Sequence, residues 1–210
     1  GVFHSNPELV WIHDDPGLGD FREEFGENVY LFEKREVNLP DSVNRDFKFF
    51  STDKMLQELY KDNDNVVDQV SVLRARILDL LIGDWDRHDD QWRWVGFENE
   101  KGREFVPVPR DRDQAFFVNQ GFLPRLASRK WVMPKFQGFD YEIRDINGFM
   151  FNGRYFDRSF LNGLSKNNWE EIIRDFVANL EDEDIRNAVR NLPEEIFEIN
   201  GKTIEEKLIY

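Results

Sequence analysis

A chain of 210 residues is long enough for one generous domain, or two small ones, with a real hydrophobic core. With 40% hydrophobic and 33% charged residues it has the composition of a soluble globular protein, and 20 phenylalanines and 6 tryptophans predict aromatic-heavy packing. A formal net charge of −14 argues against a nucleic-acid or anionic-membrane surface, which needs a basic patch; the lack of cysteine removes disulfides, thiolate metal sites and cysteine nucleophiles.

Residues 1–37 read as strand and turn: ELVWIH (8–13) and NVYLFEKREV (28–37) are rich in β-formers, and DDPGLGD between them is turn chemistry. NLPDSVNRDFKFF (38–50) reads as a connector, and Ser51 or Thr52 can cap a short helix running to about Tyr60. A stronger helix is expected from about Val66 to Ile82, where Val67, Val70, Leu73, Ile77, Leu78 and Leu81 recur near helical spacing and Gly83 ends the run. WRWVGFE, a NEKG turn and REFVPVPR predict a β-hairpin. From Gly121 onward helices are expected to dominate, one of them capped by Ser165. No run approaches the length of a membrane span. The chain opens without an initiator methionine and stops inside a helical-looking segment. It therefore reads as a piece of a longer protein, whose remainder is an expected partner.

The stretch LIGDWDRHDDQWRW (81–94) carries the chemistry. Asp84, Asp86, Asp89 and Asp90 lie together directly after an apolar helical run, and the repulsion between clustered carboxylates has to be offset. A hairpin returns its ends to one place, so DWDRHDDQ (84–91) and PRDRDQAF (109–116) should meet at one edge. Two acidic loops there can hold a hard cation through oxygen ligands. Arg87, Arg110 and Arg112 make a lattice of ion pairs the competing account.

The run Asp86-Arg87-His88-Asp89-Asp90-Gln91 resembles the D-R-H-x-x-N catalytic loop of atypical protein-kinase-like enzymes, among them the phosphoinositide kinases, the spore-coat kinases and the HipA toxins. In that superfamily a helix leads into the loop, a hairpin follows, and an aspartate after the hairpin binds magnesium; Asp113-Gln114-Ala115-Phe116 occupies that place. The resemblance implies an α+β fold with a mostly helical kinase-like C-lobe (51–210), a central hairpin, and a strand-rich remnant of an N-lobe with its connector (1–50). It implies Asp86 as the carboxylate that orients or deprotonates the attacking hydroxyl, with Arg87 beside it in the catalytic loop. It implies Asp113 as a magnesium or manganese ligand, with Asp111 as the fallback two residues earlier, and Gln91 in the place of the second metal ligand. Glutamine carries its amide oxygen about 1.5 Å further out than the usual asparagine. ATP is the implied nucleotide, with Glu33 near the adenine edge and Lys34 at the lobe junction. There is no G-x-G-x-x-G loop to cover the phosphates, so the chain on its own is expected to be inactive even where the longer protein is active. Implied partners are a nucleotide or a phosphorylated small molecule, and an extracytoplasmic location follows from the resemblance alone.

Two further readings stand beside this one. GDWDRHDDQW with PRDRDQAF also resembles a region found C-terminal to calcineurin-like phosphoesterase modules in large bacterial proteins, which would make the domain a catalytically silent accessory. A phosphoesterase site within the chain is excluded, because such dinuclear sites need histidines downstream and none follows His88. A glycosidase pairing of Asp86 with Asp113 rests on two carboxylates alone. His88 is expected to bond a backbone carbonyl, and Trp85, Trp92 and Trp94 to pack beneath the loop and hairpin.

Overall fold

The computed structural model describes residues 3–5, 7–33, 46–119, 121–129 and 131–210. The architecture is α+β, with two small sheets and a helical second half. Strands β1 (Glu8–Ile12) and β2 (Asn28–Phe32) pair antiparallel as a two-stranded sheet of their own. The turn chemistry between them is not a tight hairpin turn. Asp15 accepts a hydrogen bond from the Gly17 amide at 2.6 Å, Pro16 supplies a helix-ready φ, and Pro16–Phe21 coil into a 3-10 segment leading to the short helix α1 (Arg22–Phe25).

The larger sheet forms around the expected hairpin. It contains β3 (Phe47–Ser51), the two-residue β4 (Val66–Val67), β5 (Trp92–Glu98) and β6 (Arg103–Pro109), in the order β3-β5-β6-β4. β5 runs antiparallel to both β3 and β6, and β4 is parallel to β6. Two expectations change here. Residues 47–50, read as connector, are an edge strand. Val66 and Val67, read as the start of a helix, lie alongside Glu104 and Phe105. The helix starts later because Asp68 caps it, accepting from the Ser71 amide at 3.0 Å. Helix α2 (Thr52–Lys61) is capped by Ser51, and α3 runs from Gln69 to Leu81.

Alternation along the hairpin splits the core in two. Trp92, Trp94 and Phe105 face α3 and the later helices, where Met55, Val72, Leu73 and Ala75 meet Phe156, Phe160, Leu161 and Ile172. Val95, Phe97, Val106 and Val108 face the other way, against Phe49 and Phe3. Gly96 stands opposite Phe105, and a Cβ there would come within 3.0 Å of that ring. Pro107 and Pro109 sit in β6 past the point where β4 ends, opposite Trp94 and Trp92, so the missing amide donors interrupt no strand pairing.

The second half places α4 (Phe122–Ala127), α5 (Ile146–Phe149), α6 (Arg154–Phe160), α7 (Lys166–Ala178) and α8 (Asp182–Val189) in order. A three-residue α9 (Glu194–Ile196) passes through a π turn into α10 (Lys202–Ile209). The described residues between α4 and α5 are irregular rather than helical. α7 begins in a capping box between Ser165 and Asn168. Phe139, Ile185, Val189 and Ile204 form a third apolar cluster. Among the described residues no helix is long and apolar enough to cross a membrane.

Candidate functional site

The acidic loop starts from the end of α3. Gly83 has φ +73°, its amide donates to the Leu80 carbonyl at 3.3 Å, and the Asp84 amide reaches back to the Asp79 carbonyl at 2.8 Å. This Schellman closure needs a left-handed residue, and a Cβ on Gly83 would also press within 3.0 Å of the Phe139 ring. The turn folds Asp84 inward, beneath the loop that follows. At the other end the Arg110 amide donates to the Gln91 carbonyl at 2.9 Å, extending the hairpin ladder, so residues 84–91 and 110–112 lie side by side.

Arg87 ties the two loops together. Its guanidinium is buried and donates to the carbonyls of Arg110 and Asp111, to the Gln91 carbonyl at 3.3 Å and to Gln91 Oε1 at 3.2 Å. It lies 4.9 Å from the centre of the Trp92 ring and forms ion pairs with Asp79 at 3.3 Å and Asp84 at 3.4 Å. The residue expected beside the catalytic carboxylate is therefore an internal strut.

Asp79 is the centre of that strut, and sequence reasoning missed it. Fully buried on α3, it pairs with Arg76 at 3.0 Å and Arg112 at 3.0 Å as well as with Arg87, and Arg76 goes on to Asp157 at 2.7 Å. Asp84 is the least compensated member. Both its oxygens are buried and neither makes a well-formed hydrogen bond. Burial pushes its carboxyl up to about 7, opposed by Arg87 and Arg112 and reinforced by Asp79. Burial likewise raises Asp157 despite Arg76, and raises Asp89, with help from the neighbouring Asp90 charge.

A cleft of about 600 Å³ opens beside the loops, lined by Glu33, His88, Gln91, Arg110 and Asp111 among others. Three of the expected site residues thus share one wall: Glu33, Gln91 and Asp111. Glu33 is not free, because Arg110 donates to it through Nε at 2.7 Å and through Nη2. Burial would raise the Glu33 carboxyl, but the bonds from Arg110 and Ser5 hold it below the usual range. Lys34 lies outside the described residues. His88 is exposed, and its imidazole makes no hydrogen bond to another described residue, unlike the carbonyl contact expected of it. Trp92 and Trp94 are buried as expected, whereas Trp85 is half-buried against Phe117 and Phe136.

Asp86 and Asp113 do not line this cleft. Asp86 is half-buried and accepts a hydrogen bond from Asn152 Nδ2, while Asn152 Oδ1 accepts from Lys135 Nζ at 3.0 Å. Asp113 is exposed and accepts from Gln114 Nε2 at 2.9 Å, so it pairs with neither Arg87 nor Arg110. Thr52 also bears on the site: its hydroxyl donates to the Asp89 carbonyl at 3.0 Å and accepts from Trp94 Nε1 at 3.2 Å, fastening α2 to the loop.

Among the described residues no group of three His, Asp or Glu side chains is placed to hold a bare metal ion. Magnesium bound with phosphates asks less of a protein, taking one or two carboxylates and completing its shell from phosphate oxygens and water. Asp111, with its backbone at φ +52°, and Asp113 two residues on are exposed carboxylates of the second loop, whereas the Gln91 amide oxygen is already held by Arg87. No family model, curated protein or solved structure matches the chain.

Proposed function

We propose that the chain is a metal-dependent, kinase-like phosphotransferase domain, with Asp86 as the catalytic carboxylate and Asp111 and Asp113 as the carboxylates that receive a magnesium–nucleotide complex. One observation carries this reading. Buried Arg87 binds the backbone of the second loop from within the first, fixing the segments that hold Asp86 and Asp111 against each other. Phosphoryl transfer depends on such fixed placement of a proton acceptor and of charge that neutralises phosphate. The metal, when bound, neutralises phosphate charge. Asp86 keeps one carboxylate oxygen for an acceptor hydroxyl, because Asn152 engages only Oδ1. Arg87 acts on backbone and buried carboxylates, so in this scheme it positions the loop and takes no part in the chemistry.

The test is direct. The protein, with a complete N-lobe joined to it, is incubated with ATP and manganese or magnesium, and transfer of labelled phosphate to itself or to added acceptors is followed. Wild type should transfer, Asp86→Ala should lose transfer while retaining nucleotide binding, and Asp113→Asn should weaken binding of the metal–nucleotide complex. A wild type that binds the complex yet transfers nothing with either metal sinks the enzyme reading.

A second reading is a catalytically silent accessory domain of a larger bacterial metallophosphoesterase protein. The engagement of Gln91 Oε1 by Arg87 favours it, since a second metal ligand is thereby occupied. Gln91→Asn separates the two. A shorter amide that leaves Arg87 and faces the cleft should raise activity in an enzyme and change nothing in a silent module.

A further inference from the structure

Behind Asp86 stands a cation that the scheme above does not use. Lys135 comes from the irregular segment after α4, is half-buried, and lies 5.3 Å from the centre of the Trp85 ring. Its Nζ donates to Asn152 Oδ1 at 3.0 Å, and the same amide donates from Nδ2 to Asp86. The orientation of the Asn152 amide is therefore set from both sides, with its carbonyl toward the ammonium and its NH2 toward the carboxylate. Asn152 works as a spacer that holds Lys135 near Asp86 without letting the two charges join.

Among the described residues the fully buried cations are neutralised: Arg76 and Arg87 have carboxylates within 4 Å, as do the partly buried Arg103, Arg110 and Arg112. The partly buried Arg93 and Arg154 instead donate to backbone carbonyls of their own neighbourhood, whereas Lys135 donates to the amide that holds Asp86. Among the described residues no carboxylate lies that close to Lys135 Nζ, although the chain has 42 acidic residues against 28 basic ones. An ammonium has three donors, and the amide takes one. A half-buried positive charge with two donors to give, beside a carboxylate that can accept a hydroxyl proton, is what an anionic oxygen next to a reacting centre requires.

We infer that Lys135 binds the terminal phosphate oxygens of the phosphoryl donor beside Asp86. This rests on the phosphotransferase reading for the identity of the donor, but the anion-binding role stands on its own geometry. Trp85 provides a signal, because an anion drawn to Lys135 changes the field at the indole beneath it.

The test titrates inorganic pyrophosphate and ATP, each with magnesium, into wild type, Lys135→Met and Lys135→Arg, reading heats of binding and tryptophan emission. Both ligands should bind wild type, Lys135→Met should weaken both tenfold or more, and Lys135→Arg should stay within about threefold, tenfold being about 1.4 kcal/mol. Equal binding to wild type and Lys135→Met overturns the inference and leaves the proposed function standing. Pyrophosphate binding that depends on Lys135, with no binding of ATP, supports the inference and removes the nucleotide. No binding of either ligand to wild type overturns both. Should Lys135→Met fail to fold, a tenfold loss in Lys135→Gln relative to Lys135→Arg decides the same point.

Discussion

The aspartates of the two loops divide into an inner set and an outer set. Asp84 and Asp79 are sealed among Arg76, Arg87 and Arg112, while Asp90, Asp111 and Asp113 stand in solvent. Asp84 and Asp86 are two residues apart, yet one carboxylate is architecture and the other accepts from the Asn152 amide that Lys135 holds from its far side. The metal and ion-lattice accounts of the acidic cluster are therefore not rivals for the same atoms. The inward carboxylates make the lattice, and the outward ones remain open to a ligand.

Removing the strut should have the largest effect. Arg87→Met leaves Asp79 and Asp84 with one compensating cation fewer and removes a donor from three backbone carbonyls, so chemical denaturation should show a loss of about 3–5 kcal/mol, or no folded protein. A loss below about 1 kcal/mol would break the distinction, placing Arg87 with the dispensable surface charges.

Next comes a pH effect carried by Asp84. Its folded carboxyl titrates near 7, whereas in the unfolded chain it titrates near 3.8. Between those values the folded state holds the extra proton, so stability from this group is fully present below about pH 4 and declines as pH rises through 7. Burial raises Asp157 and Asp89 in the same direction. Wild type should lose a few kcal/mol between pH 5 and 8, and Asp84→Asn should flatten that slope. A slope unchanged in the variant would assign the titration elsewhere.

The smallest effect belongs to the outer set. Asp111→Asn and Asp113→Asn should each leave the denaturation midpoint of the ligand-free protein within about 0.5 kcal/mol of wild type, because neither carboxylate pairs with a described cation. Each should nonetheless reduce the stabilisation given by magnesium with pyrophosphate, which acts by mass action on the folded state. A large loss in the ligand-free protein would show that the outer set is structural too.

Much of the frame could be read from local pattern. The Ser51 and Ser165 caps, the hairpin of β5 and β6, and the glycine stop at residue 83 are signals contained within a few residues, and they were legible. What was not legible depended on distant partners. Val66 and Val67 fit a helical stripe until β6, some forty residues on, provides a ladder. Arg76 and Asp79 look like the polar face of an amphipathic helix, and only the arrival of Asp157, Arg87 and Arg112 turns that face into the interior. The site divides the same way. The grouping of two acidic loops followed from hairpin geometry, but the inward or outward direction of each carboxylate did not. Nor did Asn152, which reaches Asp86, or Lys135, which holds Asn152, from stretches with no periodicity to mark them.

The two prolines of β6 bear on how the larger sheet can stop. β4 lies beside only Glu104 and Phe105, yet β6 is buried from Phe105 to Pro109, so its margin past β4 is closed off from water with no strand beside it. A buried amide without a partner is costly. Pro107 and Pro109 carry no amide hydrogen, so the sheet ends inside the molecule without stranding a donor at either position.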